Sequence, residues 1–308
     1  MNPPGQAPLS GPEQHQRVLH PRREKVSRFK YSYNAIVYYQ EEIAKGIDRV
    51  ARYGYDAIEL VGEPATHNVE EINKLTKDAG IDVSSICSIW FGEERDLINP
   101  SAANRQKALD YGKSVADFAA GVGAPTIIVG PSPVGKTEAL ASDEQEWEWA
   151  VENVRTLGEY AASVGVNITL EPWNRYETHF LNRLDRAVEL LDATGLTNGG
   201  VHGDLFHMNI EEDTIHGAFS RAGSKVNHVH LADSNRAAPG VGHIDFRPTL
   251  QTLKDINFDG YLTFELLPAA SNPFAMMARG GHLEFLDPYT EKAINEMKKL
   301  EQELWPNE

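Results

Sequence analysis

Strand-like and helix-like segments alternate eight times along this chain, which predicts an α/β protein built as a (β/α)8 barrel of the TIM type. Three observations carry that prediction. The repeats fill residues 28–308 of a 308-residue chain, and such a barrel occupies about 250 residues before insertions. Gly54, Gly80, Gly123, Gly165 and Gly260 fall between a helix-length stretch and the next strand, where helix ends favour a left-handed residue. The alternative, an open doubly wound sheet, calls for a glycine-rich phosphate loop after its first strand. This chain has Tyr31-Ser32-Tyr33-Asn34 there.

The units follow in order. Strands are expected at residues 29–36, 57–61, 83–89, 126–130, 166–171, 199–204, 226–232 and 261–266. Each is a short apolar run of strand length, as a strand buried on both faces requires. Amphipathic helices are expected at 40–53, 68–79, 102–122, 143–164, 183–193, 214–222, 246–256 and 288–302. The fourth helix has a clear start: Ser142 and Asp143 cap it, and acidic residues fill its first turn. Residues 1–27 are rich in Pro, Gln, Arg and Gly and show no period. They read as an N-terminal extension, either disordered or laid over a neighbouring subunit, before a single barrel domain at 28–308.

Composition excludes several function classes. A formal net charge of −16 repels nucleic acid and anionic membrane. No apolar run approaches the roughly 20 residues needed to span a bilayer, and the N-terminus has no apolar signal core. A single cysteine, Cys87, excludes an internal disulfide and a thiolate metal site, and fits a reducing cytoplasm.

In a barrel of this kind, catalytic groups lie at the C-terminal ends of the strands. Four candidates fall at or just past such ends: Glu171, Asp204, His230 and Glu265. Taken singly, each has a bland reading. Glu171 can cap a helix, Asp204 can hold a turn, and one of the same-face pair His228 and His230 can be structural. His230 is the nearer to the strand end and is the expected ligand. Glu265, between Phe264 and Leu266, is costly to bury unless paired or metal-bound. Three carboxylates and one imidazole together suit a hard or borderline divalent cation: Mn2+ first, or Mg2+ or Co2+.

The residues around these four resemble a known family. Glu171-Pro-Trp-Asn-Arg-Tyr-Glu-Thr178 is one motif. Asp204 followed by Phe206-His-Met-Asn-Ile-Glu-Glu212 is a second. His230-Leu-Ala-Asp-Ser-Asn-Arg236, then Pro239-Gly-Val-Gly242, is a third, and Glu265 follows at the matching spacing. They resemble the sugar isomerase/epimerase superfamily of xylose-isomerase-like barrels, within it most closely the ketose 3-epimerases acting on tagatose and psicose. That resemblance implies Glu171, Asp204, His230 and Glu265 as metal ligands. It implies Glu171 and Glu265 as the acid/base pair, and Glu177, His207 and Arg236 as substrate contacts. Two departures stand out. Leu266-Leu267-Pro268 replaces the Pro-Phe that follows the last glutamate in those epimerases, with a long loop after it to residue 287. The segment 31–39 also lacks their aromatic pattern.

The expected chemistry is proton removal from carbon next to a carbonyl, with a cation stabilising the enediolate and two glutamates serving opposite faces. The expected substrate is a small, non-phosphorylated sugar or glycoside, because Ser132-Pro-Val-Gly-Lys136 is not a phosphate cradle. The C-glycoside deglycosidase catalytic subunits are similar to these epimerases and supply the alternative: cleavage of a 3-oxo-glucosyl C-glycoside by the same metal site with a smaller partner subunit. Apurinic endonucleases share the barrel, but their sites have more histidines and several metals, and the acidic surface opposes nucleic acid. A sugar-binding barrel without chemistry leaves four ligand-type residues unexplained. The resemblance further implies a homo-oligomer, or a hetero-oligomer with a small second subunit. The glycine-bearing segment 279–282 is read as a lid or a plain connection, and Trp90 and Trp173 as sugar-stacking or core side chains.

Overall fold

The computed structural model describes residues 28–38, 40–268, 270 and 272–307. The expected N-terminal extension, residues 1–27, lies outside the described residues. Eight strands close a barrel in sequence order: β1 (Lys30–Asn34), β2 (Ala57–Gly62), β3 (Asp82–Ser88), β4 (Thr126–Val129), β5 (Asn167–Leu170), β6 (Gly199–Asp204), β7 (Val226–Leu231) and β8 (Tyr261–Phe264). Every neighbouring pair is parallel, and β1 pairs with both β2 and β8. Parallel neighbours need a crossover. These are supplied by α1 (Ile43–Arg52), α2 (Val69–Ala79), α3 (Ala102–Val122), α4 (Asp143–Ser163), α5 (Leu184–Thr194), α6 (Leu205–Glu211), α7 (Ile215–Ala222) and α8 (Phe246–Asp255). After β8 come the short α9 (Pro273–Met277) and the long α10 (Leu286–Leu304).

Strand alternation divides the core in two. Ile58, Leu60, Val229, Leu231, Leu262 and Phe264 are fully buried in the apolar layer. The residues between them, Glu59, His228 and His230, meet one another inside the barrel, where Ser32, Ser84 and Ser85 join them. The barrel interior is therefore polar at mid-height. The sheet's two register shifts, at Ile58/Glu59 and Val201/His202, fall at that level.

Several boundaries differ from the expected ones, each for a local reason. β1 stops at Asn34, not 36, because the Asn34 side chain accepts a hydrogen bond from the Ile36 amide and turns the chain into a 3-10 helix at Ala35–Tyr38. α10 starts two residues before Pro288, since proline is tolerated anywhere in a first turn. The stretch to residue 287 is not a structureless loop: it contains α9 and a 3-10 turn, Leu283–Phe285. α6 was hidden because it follows β6 with no linker. Gly260 is not a left-handed helix end; Asn257 takes the positive φ, and Gly260 is needed because a Cβ would meet the Asn227 carbonyl at 2.3 Å. Ser142 does cap α4, accepting from the Gln145 amide.

Candidate active site

Glu171 and Glu265 each sit one residue beyond a strand, and their amides extend the ladder to Val129 and Leu231. Pro172 has no N–H to give and ends the pairing. Asp204 is the last residue of β6 and the N-cap of α6: its Oδ1 accepts from the His207 amide at 3.0 Å. That is the bland cap role, and it occupies one oxygen only. His230 lies in β7 with its ring inside the barrel.

These four side chains converge on one atom. From His230 Nδ1, Asp204 Oδ2 lies at 3.6 Å, Glu265 Oε2 at 3.8 Å and Glu171 Oε1 at 4.0 Å. All three separations are too long for hydrogen bonds. Asp204 Oδ2 and His230 Nδ1 are both buried without a hydrogen-bond partner. Buried polar atoms are rarely left so. A cation among them would satisfy both, and the donor set of carboxylate oxygens and one imidazole nitrogen fits a divalent metal.

The two glutamates have unlike surroundings. Glu265 accepts from Arg236 Nη2 at 2.6 Å and from Asn34 Nδ2 at 3.1 Å. Glu171 faces the His202 ring at 3.7 Å and the His230 ring at 4.0 Å instead. Burial lifts Glu171 well above the usual carboxylate range; His230 opposes this, while Glu265 and Asp204 add to it. Burial also pushes Asp204 up, but His207, His230 and Arg236 outweigh it and hold the group below its ordinary value.

The expected substrate contacts gather around this centre. His207 Nδ1 accepts from the Asn174 amide and faces Asn174 Nδ2 at 2.8 Å, which leaves Nε2 to carry the ring proton. Asn174 also donates to Glu177 Oε1, and Arg236 Nη1 lies 3.7 Å from the same oxygen. Arg236 stacks on Phe206 and has a left-handed backbone, φ 62°. Its turn is organised by buried Asp233, which accepts from the Ser234, Gly240 and Ile244 amides.

Of the two readings of Trp90 and Trp173, core packing holds. Trp90 donates to the Ile128 carbonyl and packs edge-on to Tyr111, so it belongs to the core. Trp173 closes over Gly130 and is buried as well. Lys136 is buried between Asp96 at 2.9 Å and Glu146 at 3.1 Å, consistent with a segment that cradles no phosphate.

Sequence reasoning missed Glu59, Asn34, Asn174 and His202. Glu59 had a usable signal: Ile58-Glu59-Leu60 shows the same charged residue inside an apolar strand that marked Glu265. Asn34 and Asn174 are ordinary turn residues in isolation. His202 is fully buried with neither ring nitrogen hydrogen-bonded, which nothing in Val201-His202-Gly203 announces.

With this geometry in hand, three similarities and one family match can be read. The family model described as a xylose isomerase-like TIM barrel matches residues 47–280. The chain is 29% identical over 245 residues to 3-dehydro-D-guloside 4-epimerase of Escherichia coli K12, covering 77% of this chain and 91% of that protein. It is 31% identical over 246 residues to L-ribulose 3-epimerase of Methylomonas sp. DH-1, covering 77% and 84%. Among solved structures it is similar to D-psicose 3-epimerase with D-tagatose from Clostridium cellulolyticum H10, with a TM-score of 0.79, 25% identity, and coverage of 88% and 99%.

Proposed function

The chain belongs to the xylose isomerase-like TIM barrel family, and on that premise we propose that it is a divalent-metal-dependent sugar epimerase or isomerase acting beside the carbonyl of a ketose or keto-sugar. The observation that carries this reading is the convergence of Glu171, Asp204 and Glu265 on His230 Nδ1, with two orphaned polar atoms at the centre. The similar epimerases support the reaction class.

Glu171, Asp204, His230 and Glu265 would hold the cation, with Mn2+ the proposed ion. When bound, it supplies positive charge beside the substrate's carbonyl and neighbouring hydroxyl oxygens. Proton movement falls to the two glutamates. They come from β5 and β8, with β6 and β7 between them, so they approach a bound sugar from different sides. One removes the proton from carbon; the other delivers a proton to the opposite face. Glu171 lies beside the centre without the arginine and asparagine that hold Glu265. Arg236 and Asn34 keep Glu265 oriented. His207 and Arg236 bind sugar oxygens, and Glu177 orients Arg236.

A second reading has its own observation. Beside Glu265, the residues Leu266, Leu267, Met276, Phe285 and Tyr289 help to line an apolar cavity of about 170 Å3. A free ketose carries oxygen on every carbon and matches such a lining poorly, whereas an apolar aglycone fills it. This favours a keto-glycoside as substrate, epimerised or cleaved as a C-glycoside. The proposed homo-oligomer, or assembly with a small second subunit, has support from the surface. All seven exposed large apolar side chains among the described residues, Phe91 and Tyr176 among them, sit in segments that follow strands at the catalytic end. Light scattering tests the assembly. No helix among the described residues is long and apolar enough to cross a membrane.

The function is tested by incubating the Mn2+-loaded protein with free ketoses and with 3-keto-glucosides, with and without chelator. Epimer formation that stops on metal removal and resumes with Mn2+ is expected. Turnover that survives complete metal removal contradicts the reading. Release of free aglycone identifies the lyase.

A further inference from the structure

We propose that Glu59 is the positioning residue for the His230 ligand: it fixes the ring from beneath, inside the barrel, so that Nδ1 faces the three carboxylates. The inference rests on the metal reading of that site. Glu59 is 0% exposed, in the middle of β2. Its Oε1 accepts from His230 Nε2 at 2.8 Å. Its Oε2 accepts from Ser85 Oγ at 2.5 Å and from His228 Nε2 at 2.8 Å. A carboxylate is almost never fully buried unless paired, and here its three donors come from three residues on two strands.

The arrangement does what a metal-holding imidazole requires. A neutral ring has one donor and one acceptor nitrogen. A carboxylate at Nε2 keeps the proton there, turns the lone pair of Nδ1 towards the orphaned Asp204 oxygen, and makes that lone pair more basic. His228 and Ser85 in turn hold Glu59, and Ser85 continues through Ser84 to Ser32 by contacts of 3.0 and 2.7 Å. The register shift at Ile58/Glu59 pairs Glu59 with Ser85 and skips Ser84, which aims these side chains at one another. Full burial keeps Glu59 away from substrate, so its action is through His230 alone.

The three rings of His202, His228 and His230 also come within metal-binding distance of one another. In that group, Nε2 of both His228 and His230 is committed to Glu59.

Glu59→Gln tests this by Mn2+ titration of the protein without substrate. The dissociation constant should rise about 10- to 100-fold, and the visible spectrum of the Co2+-loaded variant should shift. At saturating Mn2+, the substrate KM should stay within about twofold. Mn2+ affinity and a Co2+ spectrum unchanged from wild type overturn the proposal. Failure of the wild-type protein to bind Mn2+ at all refutes the metal reading instead. Should the variant not fold, nitrogen-15 NMR of the Mg2+-loaded wild type decides: His230 Nε2 must carry a proton protected from solvent exchange, and a bare or freely exchanging Nε2 overturns the proposal.

Discussion

Glu171 and Glu265 are the same residue at equivalent ends of two strands, yet the β5 side and the β8 side of the site treat them oppositely. On the β8 side, Arg236 and Asn34 donate to Glu265 at 2.6 and 3.1 Å, so its carboxyl group is held in one orientation. On the β5 side, Glu171 is buried with no arginine beside it among the described residues, and burial favours its neutral form. The pair is symmetric in sequence and asymmetric in its surroundings.

The largest effects are expected in the paired variants Glu171→Gln and Glu265→Gln. Each should lower turnover by about 10²- to 10⁴-fold, the usual worth of a positioned acid or base. Their stabilities should diverge. Glu265→Gln removes the charge that neutralises buried Arg236 and should lower the melting temperature. Glu171→Gln replaces a carboxyl whose charged form burial disfavours and should leave it unchanged or raise it. Full activity in either variant, or equal losses of stability, contradicts the account.

The same asymmetry has a pH signature in the metal-free protein. The folded state holds the Glu171 proton above the group's ordinary value of 4.5. Stability from that proton is complete below this value and is lost as pH rises through the folded pKa. His230, which burial lowers but Glu59 and Asp204 raise further, acts with the same sign. In thermal melts of the metal-free proteins, wild type should therefore lose stability relative to Glu171→Gln as pH rises from about 4.5. Mn2+ affinity should run the other way, weakening by about tenfold per pH unit where Glu171 carries its proton, since the metal must displace it.

How much of this was legible depended on the physical signal each residue left. The barrel was readable because eight apolar runs and their helix punctuation repeat along the chain. Asp204, His230 and Glu265 were readable as polar residues at apolar strand ends. The asymmetry was not, because it arises from Arg236 and Asn34, which are remote in sequence and meet Glu265 only once β1, β7 and β8 are neighbours. Glu59 lay in an apolar strand like Glu265, but mid-strand, where the strand-end rule does not look. α6 was lost because Asp204 serves strand, cap and site at once.

Smaller effects sharpen the picture. Glu177→Gln should leave Mn2+ affinity within about twofold while raising KM by about tenfold, because Glu177 touches Asn174 and Arg236 and none of the four central groups. Metal loss in that variant would show the role to be misassigned. On the β5 side, Gly130→Ala puts a Cβ 2.0 Å from the Trp173 ring beside Glu171. It should cost about 1–3 kcal/mol in chemical denaturation, and an unchanged midpoint would show that Trp173 yields freely.

The two-sided proton transfer is tested most directly by proton NMR of a turning-over substrate in D2O. At early conversion, the product should carry deuterium at the inverted carbon while the remaining substrate keeps its proton there. Product that retains the original proton would mean that a single group serves both faces, and the division between Glu171 and Glu265 would be wrong.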